Sequence, residues 1–240
     1  MKYNIQKIDI VDSTHYYALN LRDNKEFKEG LVISTSFQTN GKGQRGSSWD
    51  SQKGKNILFS VVFQLNISIK KQFDISKLIS LSLIRLLSNL NIEAKIKWPN
   101  DILVKNKKIA GILINNIISK DIITHSVIGI GLNVNQHVFN EYIIKATSIF
   151  AETGLKNNIE DIQDKLLKEI KSKITNYRQG KNIFNEYLYF LYSIDKVSCF
   201  ESDSQKFNGI IRGVEDSGLL IVEKEHEIRN FDIKEIKMLF

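Results

Sequence analysis

Proline, cysteine and tryptophan are nearly missing from this 240-residue chain: there is one proline, Pro99, one cysteine, Cys199, and two tryptophans, Trp49 and Trp98. Average usage of about 5% would give about twelve prolines, so a proline-rich linker is excluded and the one survivor marks a place to look. A single cysteine cannot close an intramolecular disulfide, and His15, His125, His137 and His226 show no metal-ligand spacing. A reduced fold without a structural metal follows. No run reaches about 18 uncharged apolar residues, and Asp9 and Asp12 interrupt the N-terminus before any stretch of signal-peptide length. These absences predict a cytoplasmic protein with no membrane partner.

What is present is ordinary for a folded chain: 42% hydrophobic and 25% charged residues exclude disorder and fibrous repeats. The length fits one domain, or one domain with a small appendage. Lysine and arginine number 34 against 27 acids, giving +7. The excess is dispersed, with no block of like charges, so it suits phosphate-bearing small molecules or acidic proteins no less than nucleic acid.

Asp12 or Ser13 can cap a short helix reaching to about Asp23. A strand is expected at Leu31–Gln38 and another at Asn56–Leu65. Between them, residues 39–55 hold four glycines and almost no aliphatic side chain. A loop of that length in a compact domain is uncommon and usually functional. Apolar residues recur at helical spacing from Asp74 to Leu90, in a stripe wide enough for heavy burial. Strand-like runs follow at Ala94–Trp98, Ile102–Lys105, Lys108–Ile118 and Ser126–Asn135, with a tight turn at Lys105-Asn106-Lys107. Helical patterning returns at about Ile159–Gln179 and Asn182–Ser193. From Lys196 onward Gly209, Gly213 and Gly218 punctuate short strands such as Leu219–Glu223, a small β-barrel or meander expected to pack on the main domain.

Three segments carry chemistry. In GKGQRG at 41–46, close glycines let backbone N–H groups approach anionic oxygens, while Lys42 and Arg45 supply charge. It matches neither the Walker nor the G-x-G-x-x-G pattern, and a basic surface loop fits it as well. Trp49 tips the balance, because a large ring in a polar loop needs a flat group to cover, such as adenine. In KWPND at 97–101, Pro99 ends a strand at a set angle and presents Asn100 and Asp101 at its mouth; a plain turn is the alternative. In KIAGIL at 108–113, Ala110 and Gly111 are too small to fill a core, as where a ligand passes close. Lys108 beside such a slot can act as a point charge on a carboxylate and a phosphorus centre.

With Asp12-Ser13-Thr14, Gln38, GKGQRGSSWDSQKGKNILFS at 41–60, KWPNDI at 97–102, KIAGIL at 108–113 and GIGLNVN at 129–135, the chain resembles the bacterial biotin protein ligases, with FNGIIRGVEDSGLLIV at 207–222 similar to their C-terminal SH3-like barrel. The resemblance implies an α+β fold: a mixed sheet packed with helices, similar to class II aminoacyl-tRNA synthetases, over residues 1–193, then an SH3-like domain over 194–240. It implies that biotin and ATP, with Mg²⁺, give biotinyl-5′-AMP, whose acyl group passes to a lysine of a biotin carboxyl carrier domain of a carboxylase. By the same resemblance Lys108 is catalytic. Ser13, Thr14, His15 and Gln38 belong to the biotin site, with Gly41, Lys42, Gly43 and Gln44 folding over the intermediate and Gly111 leaving room for biotin. Lys42, Gln44, Trp49, Asn56, Asn100, Asp101 and Asn133 fall to the nucleotide, and Asp101 to Mg²⁺.

The chain begins almost at the Asp-Ser-Thr motif, so no DNA-binding helix-turn-helix and no nucleic-acid partner are expected; a homodimer is compatible with the sequence. Lys42 and Gln44 stand where many relatives have arginines, which puts retention of the adenylate in question. His15 stands where asparagine is common. A lipoate or octanoyl ligase or transferase is the related alternative, and KWPND with GKGQ and the following tryptophan favours the biotin branch. A nucleic-acid module is disfavoured by dispersed charge and the lack of a stacking motif.

Overall fold

The computed structural model describes residues 2–140 and 145–239, Arg45 by its backbone alone. The chain opens with β1 (Asn4–Val11), α1 (Thr14–Asn20), β2 (Leu31–Gln38) and β3 (Asn56–Ser68), then α2 (Gln72–Ser88). β4 (Lys95–Lys97), β5 (Asp101–Val104), β6 (Lys107–Ser119) and β7 (Ile122–Asn133) follow, then α3 (Ile149–Thr153), α4 (Ile159–Arg178) and α5 (Phe184–Phe190). The last stretch is β8 (Val197–Ser202), β9 (Gln205–Val214), β10 (Leu220–Lys224), β11 (Glu227–Phe231) and β12 (Lys237–Met238).

Seven strands form a mixed sheet in the order β1-β2-β3-β7-β6-β5-β4, in which only the β1–β2 pair is parallel. β8 to β12 form a second, antiparallel sheet in the order β11-β10-β9-β8-β12. The α+β expectation holds in this form. None of the described helices is long and apolar enough to cross a membrane.

Strand side chains alternate between faces, and the two faces of the large sheet have different tasks. Ile57, Phe59, Val61 and Phe63 of β3 and Ile128, Ile130 and Leu132 of β7 point into the main core, where α2 and α4 cover them. Nearly all of α2 between Phe73 and Leu87 is buried, which is why its apolar stripe is so wide. The opposite face is covered only in part: Ala18 of α1 packs with Leu31, Ile33, Val62 and Val127 in a small second cluster. Beyond that cluster the face is open and lined by small residues.

Several elements differ from expectation. β1 is absent from the sequence reading because its burial is slight and irregular, and main-chain pairing to β2 defines it. α1 stops at Asn20, three residues short, because turn bonds from Leu21 to Ala18 and from Asn24 to Leu21 replace its ladder; Ser13 caps its start. α3 was also unforeseen; Ser148 caps it and Gly154, at φ 72°, ends it. The predicted turn at 105–107 is present, with Lys105 at φ 55°. Ala110, read as part of a ligand slot, lies in the main core, and Gly111 alone faces the open side.

Candidate active site

Register builds a trough on the open face. Leu58, Gly131, Gly111 and Asp101 stand side by side across β3, β7, β6 and β5. The next row in that direction is Ser60, Gly129 and Leu113, about 7 Å away by strand rise. Three glycines in two rows leave a hollow where side chains would stand. This is the floor of a cavity of about 450 Å³, whose wall also includes Ser13, Thr14, Gln38, Lys97, Trp98 and Lys108.

At one end lie the charges. Lys108 Nζ is 2.7 Å from Asp101 Oδ1, and Lys97 Nζ is 3.9 Å from Asp101 Oδ2. The backbone of Lys108 is clamped on its outer side, donating to Lys145 O at 2.8 Å and accepting from Thr147 N at 2.9 Å. Asn100 is fixed the same way: its Nδ2 donates to Ile112 O and its O accepts from Ile112 N. Lys237 of β12 and Lys42 complete four lysines around the cavity, with Asp101 the one carboxylate among its described lining residues. Burial holds Lys97 below the ordinary lysine range, aided by repulsion from Lys108 and Lys237 and opposed by Asp101. Such a place favours a ligand that brings negative charge.

The other end is polar and neutral. Gln38 Oε1 accepts from Thr14 N at 2.9 Å and Thr14 Oγ1 at 3.1 Å, and Thr14 Oγ1 lies 2.9 Å from Ser60 Oγ. With its own proton on Gln38, the Thr14 hydroxyl accepts from Ser60, so the chain of donors has one direction. His15 Nε2 meets Asn115 Oδ1 at 2.7 Å. Ser13, Thr14 and His15 are all buried because the N-terminal turn of α1 is pushed down onto the sheet.

The glycine-rich loop folds over this trough. Trp49 N donates to Gly41 O at 2.9 Å and Gly43 N to Ser47 O at 2.7 Å, while Lys42 and Ser48 form an isolated bridge. A side chain at Gly41 would collide with Trp49 O and come within 2.9 Å of Gln38 Nε2, so only glycine permits this closure. The loop lays Trp49 directly on Gly111 and Gly131: a Cβ at 131 would lie 2.6 Å from Trp49 Cζ2 and 2.7 Å from Nε1. Lys108 Nζ sits 5.4 Å from the indole centroid. The Nε1 of Trp49 is buried without a partner.

The structure thus brings Ser13, Thr14, His15, Gln38, Lys42, Gly43, Gln44, Trp49, Asn100, Asp101, Lys108 and Gly111 to one cavity. It keeps Asn56 and Asn133 out of the wall. Asn56 Oδ1 accepts from Val134 N, and Asn133 Nδ2 donates to Thr147 O, so both tie down backbone beneath the site. The Arg45 side chain lies outside the described residues. Sequence reasoning missed Ser60, Gly129 and Gly131 as site residues; alternating glycines within a strand were the available signal. It also missed the second sheet's share of the wall, Phe200, Ile211, Leu220 and Lys237, which no spacing indicates. Trp98 Nε1 donates to Gly218 O at 2.9 Å and so joins the two sheets at the cavity.

Known proteins match most of this chain in sequence and in fold. Among curated relatives, the bifunctional ligase/repressor BirA of Bacillus spizizenii is 27% identical over 236 residues, covering 96% of this chain and 72% of its own. The biotin–[acetyl-CoA-carboxylase] ligase of Mycobacterium tuberculosis is 27% identical over 202 residues, 81% of this chain and 74% of that protein. The fold matches a biotin protein ligase from Aquifex aeolicus, solved with biotin and ATP, at a TM-score of 0.79 and 24% identity over 98% of both chains. Residues 8–133, more than half the chain and all four of the strands that floor the trough, match the family model; the chain belongs to the biotin/lipoate A/B protein ligase family.

Proposed function

We propose that the protein is a biotin protein ligase. The observation that carries this is the trough itself: a glycine floor wide enough for a bicyclic ring, polar hydrogen-bonding groups at one end and Lys108 with Asp101 at the other. Biotin has the matching parts, a ureido head, an apolar tail and a carboxylate. A lipoyl or octanoyl chain has no polar head group to match the hydrogen-bonding groups of Thr14, Gln38 and Ser60 at that end.

In this reading the biotin carboxylate oxygen attacks the α-phosphorus of ATP. A C–O–P anhydride bond forms, the bond from the α-phosphorus to the bridging oxygen breaks, and pyrophosphate leaves with the electron pair. Lys108 exchanges its contact with Asp101 for the carboxylate and α-phosphate and offsets the charge that accumulates between them. A lysine amine of a biotin carboxyl carrier domain then attacks the acyl carbon, AMP departs and an amide forms. Asn100, fixed by two bonds to β6, supports the nucleotide side, with Lys42, Gln44 and Trp49 over it.

The described residues contain no group of three His, Cys, Asp or Glu that could hold a metal, and Asp101 is already shared by two lysines. That donor set fits Mg²⁺ only as it travels on the nucleotide phosphates, where it supplies charge neutralisation. Trp49 rests in the space the substrate would take, so the loop at 41–55 acts as a lid that lifts and re-closes, keeping water from the anhydride. Residues 1–193 form the catalytic domain, similar to class II synthetases, and 194–240 an SH3-like domain that completes the wall. A cytoplasmic location and a carrier-domain partner belong to the same reading, and a homodimer is compatible with it.

The test is incubation of the protein with ATP, Mg²⁺, biotin and a carrier domain, followed by intact mass. The carrier gains one biotinyl group, and lipoic or octanoic acid in place of biotin gives none. Transfer of lipoyl or octanoyl in preference to biotin would refute the proposal.

A further inference from the structure

The glycine-rich lid is attached differently at its two ends. Among the described residues from Gly41 to Trp49, hydrogen bonds stay within the loop: Gly43 N to Ser47 O, Ser47 N to Gln44 O, Trp49 N to Gly41 O and Lys42 Nζ to Asn40 Oδ1. This half rests on the site through Trp49, which lies on the glycine floor. From Ser51 to Asn56 the chain is stitched to its surroundings. Gly54 N donates to Ser36 O at 2.9 Å, and Lys55 O accepts from Asn135 N at 2.8 Å. Asn56 Oδ1 accepts from Val134 N at 3.0 Å, and its Nδ2 donates to Ser51 Oγ at 3.0 Å.

Gln136 stands in the middle of these bonds and is 5% exposed. Its Oε1 accepts from Gln52 N at 3.1 Å and from Asn56 Nδ2, and its Nε2 donates to Val138 O at 2.9 Å. The oxygen meets two donors and the nitrogen an acceptor, so one orientation of the amide serves all three. Gln136 is not part of the described cavity wall, and the reaction above gives it no task.

We propose that Gln136 is a positioning residue for the lid: it locks residues 51–55 as a fixed root, so that only 41–50 swings, and thereby sets where Trp49 lands. Gln136 follows directly on β7, so the root is held against the strand that carries Gly129 and Gly131. A short swinging segment surrenders less conformational entropy each time it closes than a long one. Loosening the root adds 51–55 to the moving part, raises that cost and shifts the lid towards open. The catalytic consequence rests on the ligase reading. Under a lid that opens more often, water reaches the anhydride and returns biotin and AMP before a carrier lysine arrives.

Hydrogen exchange followed by peptide mass on the full chain without ligand reads the root directly and needs no substrate. In the wild type, 51–56 exchanges at least about tenfold more slowly than 41–49. In Gln136→Leu, which lacks the amide, 51–56 speeds up by about tenfold, as for one lost hydrogen bond, while peptides of β2 and α2 are unchanged. With ATP, Mg²⁺ and biotin but no carrier, Gln136→Leu forms AMP about tenfold faster than wild type, while biotin-dependent pyrophosphate exchange at saturating substrate stays within about twofold. A merely weakened fold would lower both rates together. Equal exchange of the two halves in the wild type, unchanged exchange in Gln136→Leu, or AMP formation that falls in step with pyrophosphate exchange overturns the proposal. A wild type without pyrophosphate exchange removes the ligase reading instead, and the root then stands or falls on hydrogen exchange.

Discussion

A methyl group placed on the trough floor isolates the role of its shape. In Gly131→Ala the new Cβ would lie 2.6 Å from Trp49 Cζ2 and 2.7 Å from its Nε1, whereas carbon atoms in contact settle at about 3.5–4.0 Å. The indole must retreat by about 1 Å. Were it locked in a core, such overpacking would cost about 1–3 kcal/mol. Trp49 is instead held by the loop bonds to Gly41 and between Gly43 and Ser47, which can give. The cost therefore falls mainly on ligand binding, because the methyl still projects into the biotin space: an increase in biotin KM of about tenfold, or about 1.4 kcal/mol. Melting should drop by only a few degrees, at about 2–4 °C per kcal/mol for a chain of this size. The assay is biotin-dependent pyrophosphate exchange alongside thermal melting. In a Trp49→Ala background the melting penalty of Gly131→Ala disappears and the KM penalty stays. A Gly131→Ala enzyme with wild-type KM would show that biotin does not lie on this floor.

Three other outcomes follow from the same geometry. Trp98→Phe leaves Gly218 O without the indole N–H that joins the sheets; a loss of about 1–3 kcal/mol should appear in melting. Trp49 fluorescence should change on addition of biotin and ATP, since the indole must leave Gly111 and Gly131; an unchanged spectrum in a Trp98→Phe background, where Trp49 is the sole tryptophan, would contradict the lid. The lowered pKa of His15 means the unfolded chain binds a proton first as pH falls. Its contribution to stability is therefore complete above about pH 6.5 and declines below it through the folded-state value, a slope that His15→Asn should remove from urea-unfolding midpoints.

The parts of the fold legible in the sequence were those with strong local patterning. α2 announces itself because almost every apolar residue from Phe73 to Leu87 is buried, and β2, β3, β6 and β7 because they are long and apolar. β1 is an edge strand whose side chains carry little burial, and it exists through pairing with a strand twenty residues later. The site was legible as motifs, but their meeting depends on register. That Gly131 lies beside Gly111, and that Trp49 covers both, follows from β6–β7 pairing and loop closure rather than from either segment alone. Asn56 and Asn133 show the converse: polar residues inside family-like motifs whose side chains serve backbone atoms. His15 was read both as a departure from a pattern and as part of the biotin site, and the structure sets it in the cavity wall with its Nε2 held by Asn115.

The most direct test of the account is biotin-dependent pyrophosphate exchange by Lys108→Ala, with circular dichroism to verify the fold. Lys108 sits 2.7 Å from Asp101 at the charged end of the trough, and its amine is the group assigned to the developing charge. The account predicts a folded protein that still binds biotin and whose exchange rate falls by a thousandfold or more, about 4 kcal/mol. Exchange within a few fold of wild type in a folded Lys108→Ala protein would contradict it.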